Sequence, residues 1–270
     1  MQDLRVALVQ EATVWHDPVA NQALYGERVR SLAGHADLIV LPETLLSGFS
    51  NDAVLRAEDM QGAGVAWMRE LAQAAGAVLT GSLVIRDGEG VYNRLIWAAP
   101  DGSLAHYDKR HLFRMAGEHH RYAAGAERLI VELKGWRICP QVCYDLRFPV
   151  WLRNRMQAES GRMDYDLLLF VANWPAPRRH AWRTLLRARA IENLSYCVGV
   201  NRVGVDGNQL SYSGDSAAID FLGEPLVELG EGPEIAIATL SAQRLAEHRQ
   251  RFPAWLDADE FSLAQATSAT

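Results

Sequence analysis

A layered α/β fold, with helices packed outside sheets, is what the sequence predicts. Short apolar runs of strand length alternate with amphipathic stretches of helical length. The chain opens as strand, helix, strand, helix, strand and later falls into hairpins, a mixture that suits helices outside a layered sheet structure. Its 270 residues, 49% hydrophobic and 22% charged, are within reach of one large domain with a well-buried core. No composition shift marks a linker, and no internal repeat or low-complexity segment stands out, so residues 1–270 read as a single domain.

The elements follow in order. Leu4 to Gln10 is a strand. Pro18 to Ala33 is a helix with Asp17 as N-cap and Pro18 at its first position. Asp37 to Leu41 is a buried strand and Gly64 to Ala75 a second helix. Ala77 to Ile85 and Val91 to Ala99 are strands joined by the turn Asp87-Gly88-Glu89-Gly90. Leu104 to Lys109, Leu129 to Leu133 and Trp136 to Cys143 are strand-like. A helix is expected from Pro149 to about Ala158, a buried strand over Asp166 to Ala172, and a long helix over Arg179 to Leu194. Strands over Tyr196–Val203, Ser216–Phe221 and Ile235–Leu240 precede a last helix, capped by Ser241 and running to about Arg251. Ala264 to Thr270 reads as a frayed tail. The segment Phe252-Pro253-Ala254-Trp255-Leu256-Asp257 carries two aromatics past the last helix, and apolar groups there are expected to pack on a partner subunit.

The bulk numbers exclude several classes. A net charge of −6 and interleaved arginines do not make the basic footprint of a nucleic-acid binder. Three cysteines (Cys139, Cys143, Cys197) with no CxxC pair suit a reducing compartment rather than a disulfide framework. Met1-Gln2-Asp3-Leu4-Arg5 has no signal-peptide design, and no apolar run reaches the ~18 residues of a membrane span. A cytoplasmic protein is the expectation. His111, His119 and His120 lack the spacing of a zinc site, and Gly62-Ala63-Gly64 lacks the surroundings of a phosphate loop. No metal or other cofactor is expected.

Three positions carry chemistry. Cys143 ends an apolar strand where the polar turn Tyr144-Asp145-Leu146-Arg147-Phe148-Pro149 begins. A thiol held there by a strand, with the next backbone N–H facing the same space, is placed as a covalent nucleophile; a free cysteine is also often a small buried hydrophobe. Cys139, on the same face, and Cys197 read as packing. Glu43 closes the strand Leu38-Ile39-Val40-Leu41 through Pro42. A carboxylate at a strand exit against apolar walls can serve as a base, or simply cap a helix or pair in a salt bridge. Lys109 lies just past a strand and could be a fixed positive charge beside an oxyanion, or a solvated surface lysine.

Taken together, three segments resemble the nitrilase superfamily of carbon–nitrogen hydrolases. They are Leu41-Pro42-Glu43 with Ser47-Gly48-Phe49, then Tyr107-Asp108-Lys109-Arg110-His111-Leu112-Phe113, then Val142-Cys143-Tyr144-Asp145-Leu146-Arg147-Phe148-Pro149. Ala172-Asn173-Trp174-Pro175, Ala188-Arg189-Ala190-Ile191-Glu192-Asn193 and Asn201-Arg202-Val203-Gly204 extend the likeness from Leu4 to about Leu240, nearest the omega-amidase-like branch. The resemblance implies a four-layer α-β-β-α sandwich that dimerises into an eight-layered α-β-β-α-α-β-β-α assembly. It also implies Glu43 as general base, Lys109 as oxyanion stabiliser, Cys143 as nucleophile and Glu118 as a second important glutamate.

A thiolate at Cys143 would be favoured by a helix N-terminus and by Lys109. The attacked carbonyl oxygen would meet Lys109 and the backbone N–H of Tyr144. The expected activity is release of ammonia from the terminal amide of a small carboxamide, such as 2-oxoglutaramate or 2-oxosuccinamate, through a thioester. Nitrilase, N-carbamoyl amidohydrolase or deaminated-glutathione-type amidase activity on the same scaffold is the alternative, and a noncatalytic ligand-binding protein of this fold a second one. Arg114, Arg147 and Arg178 are candidates for an arginine fork on the substrate's far carboxylate, each equally a surface or structural ion pair. Phe49 and Trp174 could wall the pocket or be core aromatics, and Asn173 could aim its amide at the substrate or form a turn. Glu192 and Asn193 read as structural.

Overall fold

The computed structural model describes residues 1–157 and 159–263. Two six-stranded sheets stack face to face. The first contains β1 (Leu4–Gln10), β2 (Leu38–Val40), β3 (Val78–Asp87), β4 (Gly90–Ala98) and β5 (Leu104–Asp108). The second contains β6 (Val131–Leu133) and β7 (Trp136–Val142). Two short strands, β8 (Met156–Gln157) and β9 (Arg162–Met163), pair as a hairpin outside both sheets. The second sheet resumes with β10 (Leu167–Ala172) and β11 (Tyr196–Asn201), is interrupted by the hairpin β12 (Val203–Val205) and β13 (Ser211–Ser213), and finishes with β14 (Ala217–Ile219) and β15 (Pro225–Glu228). The last strand, β16 (Glu234–Leu240), returns to the first sheet. The strand orders are β16-β1-β2-β3-β4-β5 and β15-β14-β11-β10-β7-β6.

The side-chain period of the strands sets the layers. On β1 and β2, Val6, Leu8, Leu38 and Val40 face the second sheet, while Ala7, Val9 and Ile39 face outward. The outward set is covered by α1 (Pro18–Ser31) and α2 (Ala63–Ala75) through Tyr25, Val29, Val65, Met68 and Leu71. After the short α3 (Pro149–Leu152), α4 (Arg179–Asn193) covers the second sheet with Trp182, Leu186 and Ala190, and α5 (Ala242–Arg251) adds Leu245. The result is the expected α-β-β-α layering. Each fully buried Leu or Val in it is worth roughly 1.5–3 kcal/mol.

Local signals work where they were read. Asp17 accepts from the Ala20 N–H ahead of Pro18, and Gly76 closes α2 in the left-handed region at φ 63°. Pro140 sits inside β7 without breaking the sheet, because β6 pairs with β7 only as far as Ile138. That edge of β7 is therefore free where the missing donor would fall.

Two expectations change. The helix expected from Pro149 to about Ala158 stops at Leu152; Ala158 lies outside the described residues, as does the tail 264–270. Asn154 ends it: its side chain donates to the Tyr165 and Asn193 carbonyls and accepts from the Tyr165 N–H, while its own N–H goes to Asn193 Oδ1. Those bonds replace helical ones. The strand expected over Tyr196–Val203 divides at Arg202, whose N–H goes back to the Ala172 carbonyl, and Val203 turns to the Glu11 carbonyl. The departing chain forms the β12–β13 hairpin, which lies over the end of the second sheet where the site is found. Among the described residues, no helix is long and apolar enough to cross a membrane.

Candidate active site

The site forms at one end of the sandwich, just beyond the ends of β2, β5, β7 and β10. Glu43 follows β2 in a loop strapped to β3: Leu41 N–H donates to Thr80 O, Ser82 N–H to Pro42 O and Leu45 N–H to Ser82 O. Lys109 follows β5, its own N–H still bonded to the Asn93 carbonyl of β4. Cys143 is the first residue past β7 and has φ 45°, in the left-handed region that non-glycine residues seldom occupy. Strain of this kind gathers at functional sites. Here it turns Cys143 out of the ladder, so its face is not that of Cys139, whose sulfur stays in the core and accepts from Gln141 Nε2.

The turn carrying Cys143 is held by Asp145, which reasoning from sequence did not single out. Its buried carboxylate accepts from the Val142 N–H (3.1 Å), Tyr107 Oη (2.9 Å), the His111 N–H (2.9 Å) and His111 Nδ1 (2.7 Å). It thereby ties the Cys143 turn to the Lys109 loop. The His111 ring stacks on Phe148 with centroids 3.7 Å apart, which accounts for this histidine without a metal.

Four chemically active side chains converge. Lys109 Nζ lies 2.9 Å from Glu43 Oε1 and 3.0 Å from both Oε1 and Oε2 of Glu118. Glu43 and Glu118 are fully buried, and Lys109 is 1% exposed. Asn93 Nδ2 donates to Glu43 Oε1 at 2.7 Å and reaches Glu118 Oε1 at 3.5 Å. The Asn173 N–H donates to Glu43 Oε2 at 2.7 Å, and Asn173 Nδ2 holds the Glu43 carbonyl and Thr44 Oγ1. The Phe113 N–H donates to Glu118 Oε2.

This bookkeeping separates the two carboxylates. Each Glu118 oxygen has two donors within reach, whereas Glu43 Oε2 has one and keeps a lone pair. The Cys143 thiol bonds to Glu43. Glu43 is therefore the carboxylate able to receive its proton.

One ammonium and two carboxylates leave the cluster with one net negative charge when all are ionised. Burial pushes the Cys143 thiol well up, and the Glu43 carboxylate adds to that against the opposing pull of Lys109. The thiolate expected from Lys109 and a helix terminus is thus not the resting form. The segment following Cys143 is a 3₁₀ turn, Cys143–Arg147, too short to present a helix dipole, and α3 starts only at Pro149. For Lys109, burial acts to depress the ammonium, but Glu118 and Glu43 outweigh it and hold it well above the usual lysine range. Glu118 is raised by burial, against Lys109 and with the Glu43 charge.

Cys143 does not open to bulk solvent; it is 8% exposed and lines a cavity of about 180 Å³. Glu43, Lys109, Phe49, Asn173, Trp174, Tyr144, Arg147 and Arg178 also line it. Glu118 stands behind Lys109. Asp206, Asn208, Leu210 and Tyr212 of the β12–β13 hairpin form a wall that the sequence did not suggest. Arg147 stacks over Trp174 (4.8 Å) and Arg178 over Phe113 (5.2 Å), and neither has a carboxylate partner among the described residues. Arg114 is a correction. It lines a separate depression with Arg110, His111 and His119 on the other side of Tyr144. Glu192 pairs with Arg189, and Asn193 bonds to Asn154 and the Arg189 carbonyl, both away from the cavity.

Lys109→Met is expected to destabilise the protein by about 3–5 kcal/mol in chemical denaturation, since two buried carboxylates lose their counter-ion. Without the ammonium their folded-state proton affinity rises above the unfolded value. The variant's stability should therefore be greatest at acid pH and decline as pH rises. A loss under 1 kcal/mol, independent of pH, would mean the cluster is not held by this charge.

The profile of the carbon-nitrogen hydrolase family matches residues 5–250. The chain is 47% identical over 267 residues to the omega-amidase YafV of Escherichia coli strain K12, covering 97% of this chain and 100% of the relative. It is 34% identical over 227 residues to a 2-oxoglutaramate amidase of Bacillus subtilis strain 168, covering 83% and 85%. Among solved structures, XC1258 of Xanthomonas campestris, a CN-hydrolase superfamily protein with an arsenic adduct in its active site, superposes with a TM-score of 0.96 at 62% identity over 98% of this chain and 100% of that one. An amidase from Nesterenkonia sp. AN1, carrying acrylamide added to its active-site cysteine, gives a TM-score of 0.77 at 25% identity over 93% and 98%. Family profile, relatives and fold agree along nearly the whole length, and the chain belongs to the carbon-nitrogen hydrolase family, within the nitrilase superfamily and beside the omega-amidases.

Proposed function

We propose that this hydrolase is an omega-amidase, releasing ammonia from the terminal amide of a short carboxylic acid such as 2-oxoglutaramate or 2-oxosuccinamate. The observation that carries the reading is the meeting of Cys143, Glu43 and Lys109 at a cavity of about 180 Å³. That is below the ~300–1,000 Å³ usual for drug-sized ligands and suits a small substrate. The relatives named omega-amidase and 2-oxoglutaramate amidase support the same substrate class.

Cys143 Sγ attacks the amide carbon while Glu43 Oε2 takes the thiol proton. The developing oxyanion is met by Lys109 and the Tyr144 backbone N–H. Equal distances of 3.0 Å from Nζ to the two Glu118 oxygens suit one bifurcated N–H, which leaves a lysine proton for the oxyanion. Glu118 holds the ammonium in place. Glu43 then passes its proton to the nitrogen as ammonia leaves. The thioester remaining on Cys143 is hydrolysed by water from which Glu43 removes a proton. Arg147 and Arg178 take the far carboxylate of the substrate, Phe49 and Trp174 wall its carbon chain, and Asn173 keeps Glu43 in register.

The three cysteines are buried and unpaired, in keeping with a reducing, cytoplasmic setting. A homodimer belongs to the same reading. Phe252 and Leu256, 58% and 75% exposed, leave apolar surface beyond α5 for a second copy.

A panel of short ω-amides, nitriles and N-carbamoyl compounds, with ammonia measured for each, tests the proposal. The ω-amides should react best; preference for nitriles or carbamoyl compounds would reject the omega-amidase reading. Cys143→Ala should abolish turnover while leaving thermal unfolding unchanged, and Glu43→Gln should fail in both acylation and deacylation. Arg147→Met and Arg178→Met should raise KM about tenfold or more for a carboxylate-bearing amide and leave an uncharged amide unaffected; equal effects on both would remove the arginines from carboxylate recognition. A chain ending at Arg251 should sediment as a monomer, and unchanged dimerisation would take the C-terminal segment out of the interface.

A further inference from the structure

Asn93 lies in the middle of β4 and is 1% exposed. Its amide is the one neutral group that reaches both buried glutamates, with Nδ2 at 2.7 Å from Glu43 Oε1 and 3.5 Å from Glu118 Oε1. A rotatable amide between two carboxylates could present either end. Its orientation here is set from behind. The backbone N–H of Thr44 donates to Ser82 Oγ at 2.7 Å, which obliges the hydroxyl to spend its own proton elsewhere. That proton goes to Asn93 Oδ1 at 2.8 Å. With the oxygen committed to Ser82, the NH₂ group must face the glutamates. Thr44 is the residue after Glu43, so the chain of bonds leaves the catalytic loop, crosses β3 and β4, and returns to the Glu43 carboxylate.

We infer that Asn93, oriented by Ser82, is a positioning residue that commits Glu43 Oε1 to the resting cluster and so reserves Oε2 for the proton of Cys143. Glu43 Oε1 then carries Asn93 and Lys109, while Oε2 carries only the Asn173 N–H besides the thiol. Without Asn93, Oε1 would hold an open lone pair beside Glu118. The carboxylates would gain a reason to share a proton, and the base would lose its preferred face. The titratable groups facing this amide and its carboxylates are Glu43, Lys109, Glu118 and Cys143, with the Tyr122 and Tyr212 hydroxyls farther out.

The inference rests on Glu43 acting as base to Cys143, as proposed above, and two variants separate positioning from bulk structure by moving the pH profile in opposite senses. Asn93→Ala removes a donor to the carboxylates, which then hold protons to higher pH. The acid limb of the rate profile should move up by roughly one pH unit, with kcat down about 10²-fold and KM little changed. Asn93→Asp can imitate the amide only while protonated. Its activity should be partly retained at acid pH and should fall as pH rises, bringing the alkaline limb down. Ser82→Ala should shift the profile in the same direction as Asn93→Ala but less, and the double variant should be no worse than Asn93→Ala alone.

Each profile is measured twice, by ammonia release and by the rate of Cys143 alkylation with acrylamide. Alkylation needs no substrate. A wild-type protein that alkylates but releases no ammonia from ω-amides defeats the substrate reading while the Asn93 comparison still stands. Opposite shifts for the Ala and Asp variants by alkylation support the inference. Profiles that only scale down, with both limbs fixed, overturn it.

Discussion

Lys109 is an ammonium sealed inside the protein between two carboxylates, and the rest of the site is arranged around that fact. A buried charge of this kind persists only with close partners, because removing it from water costs several kcal/mol. Glu43 and Glu118 supply the partners, and each must come from a different stretch of chain. The first sheet delivers Glu43 from the end of β2 and Lys109 from the end of β5; the turn after Lys109 delivers Glu118. The second sheet contributes Cys143 and Asn173. The bonds from Asn173 to Glu43 and from Tyr107 to Asp145 cross between the sheets, so the stacking of the sandwich and the assembly of the site are one event.

The sign of the cluster determines how the nucleophile is kept. Two carboxylates outweigh one ammonium, and an ionised sulfur would add a second net negative charge in a buried place. The thiol therefore rests protonated against Glu43, and activation is a proton transfer coupled to attack rather than a standing thiolate. Such a sulfur is guarded from reaction until a carbonyl enters the cavity. Lys109 then has a new anion to serve, the oxyanion, and the charge that made the thiolate costly is redistributed.

Much of this was legible in the sequence because Glu43, Lys109 and Cys143 each stand at a strand-to-loop edge, where side chains leave the ladder. Glu118 was reachable only through resemblance: it sits in short 3₁₀ turns that leave no periodic trace. Asn93, Ser82 and Asp145 were illegible for a different reason. A polar residue within an alternating strand looks like an outward-facing one, and only the pairing of β3 with β4 shows that Ser82 and Asn93 meet behind a catalytic loop. The three arginines could not be ranked from sequence, since only the fold puts Arg147 and Arg178 on the cavity and Arg114 beyond Tyr144. The helix after Pro149 was overestimated because Asn154 ends it by bonding to Asn193, which is remote in sequence.

The protonation state of Cys143 in the resting protein is the most direct test of the account. The ultraviolet absorbance of thiolate can be followed across pH as the difference between the parent protein and its Cys143→Ala variant, in which the signals of Cys139 and Cys197 cancel. No thiolate band at neutral pH, with one appearing only well into the alkaline range, is the predicted result. A thiolate band already full at neutral pH would contradict it, and would mean that Lys109 rather than the two glutamates governs the sulfur.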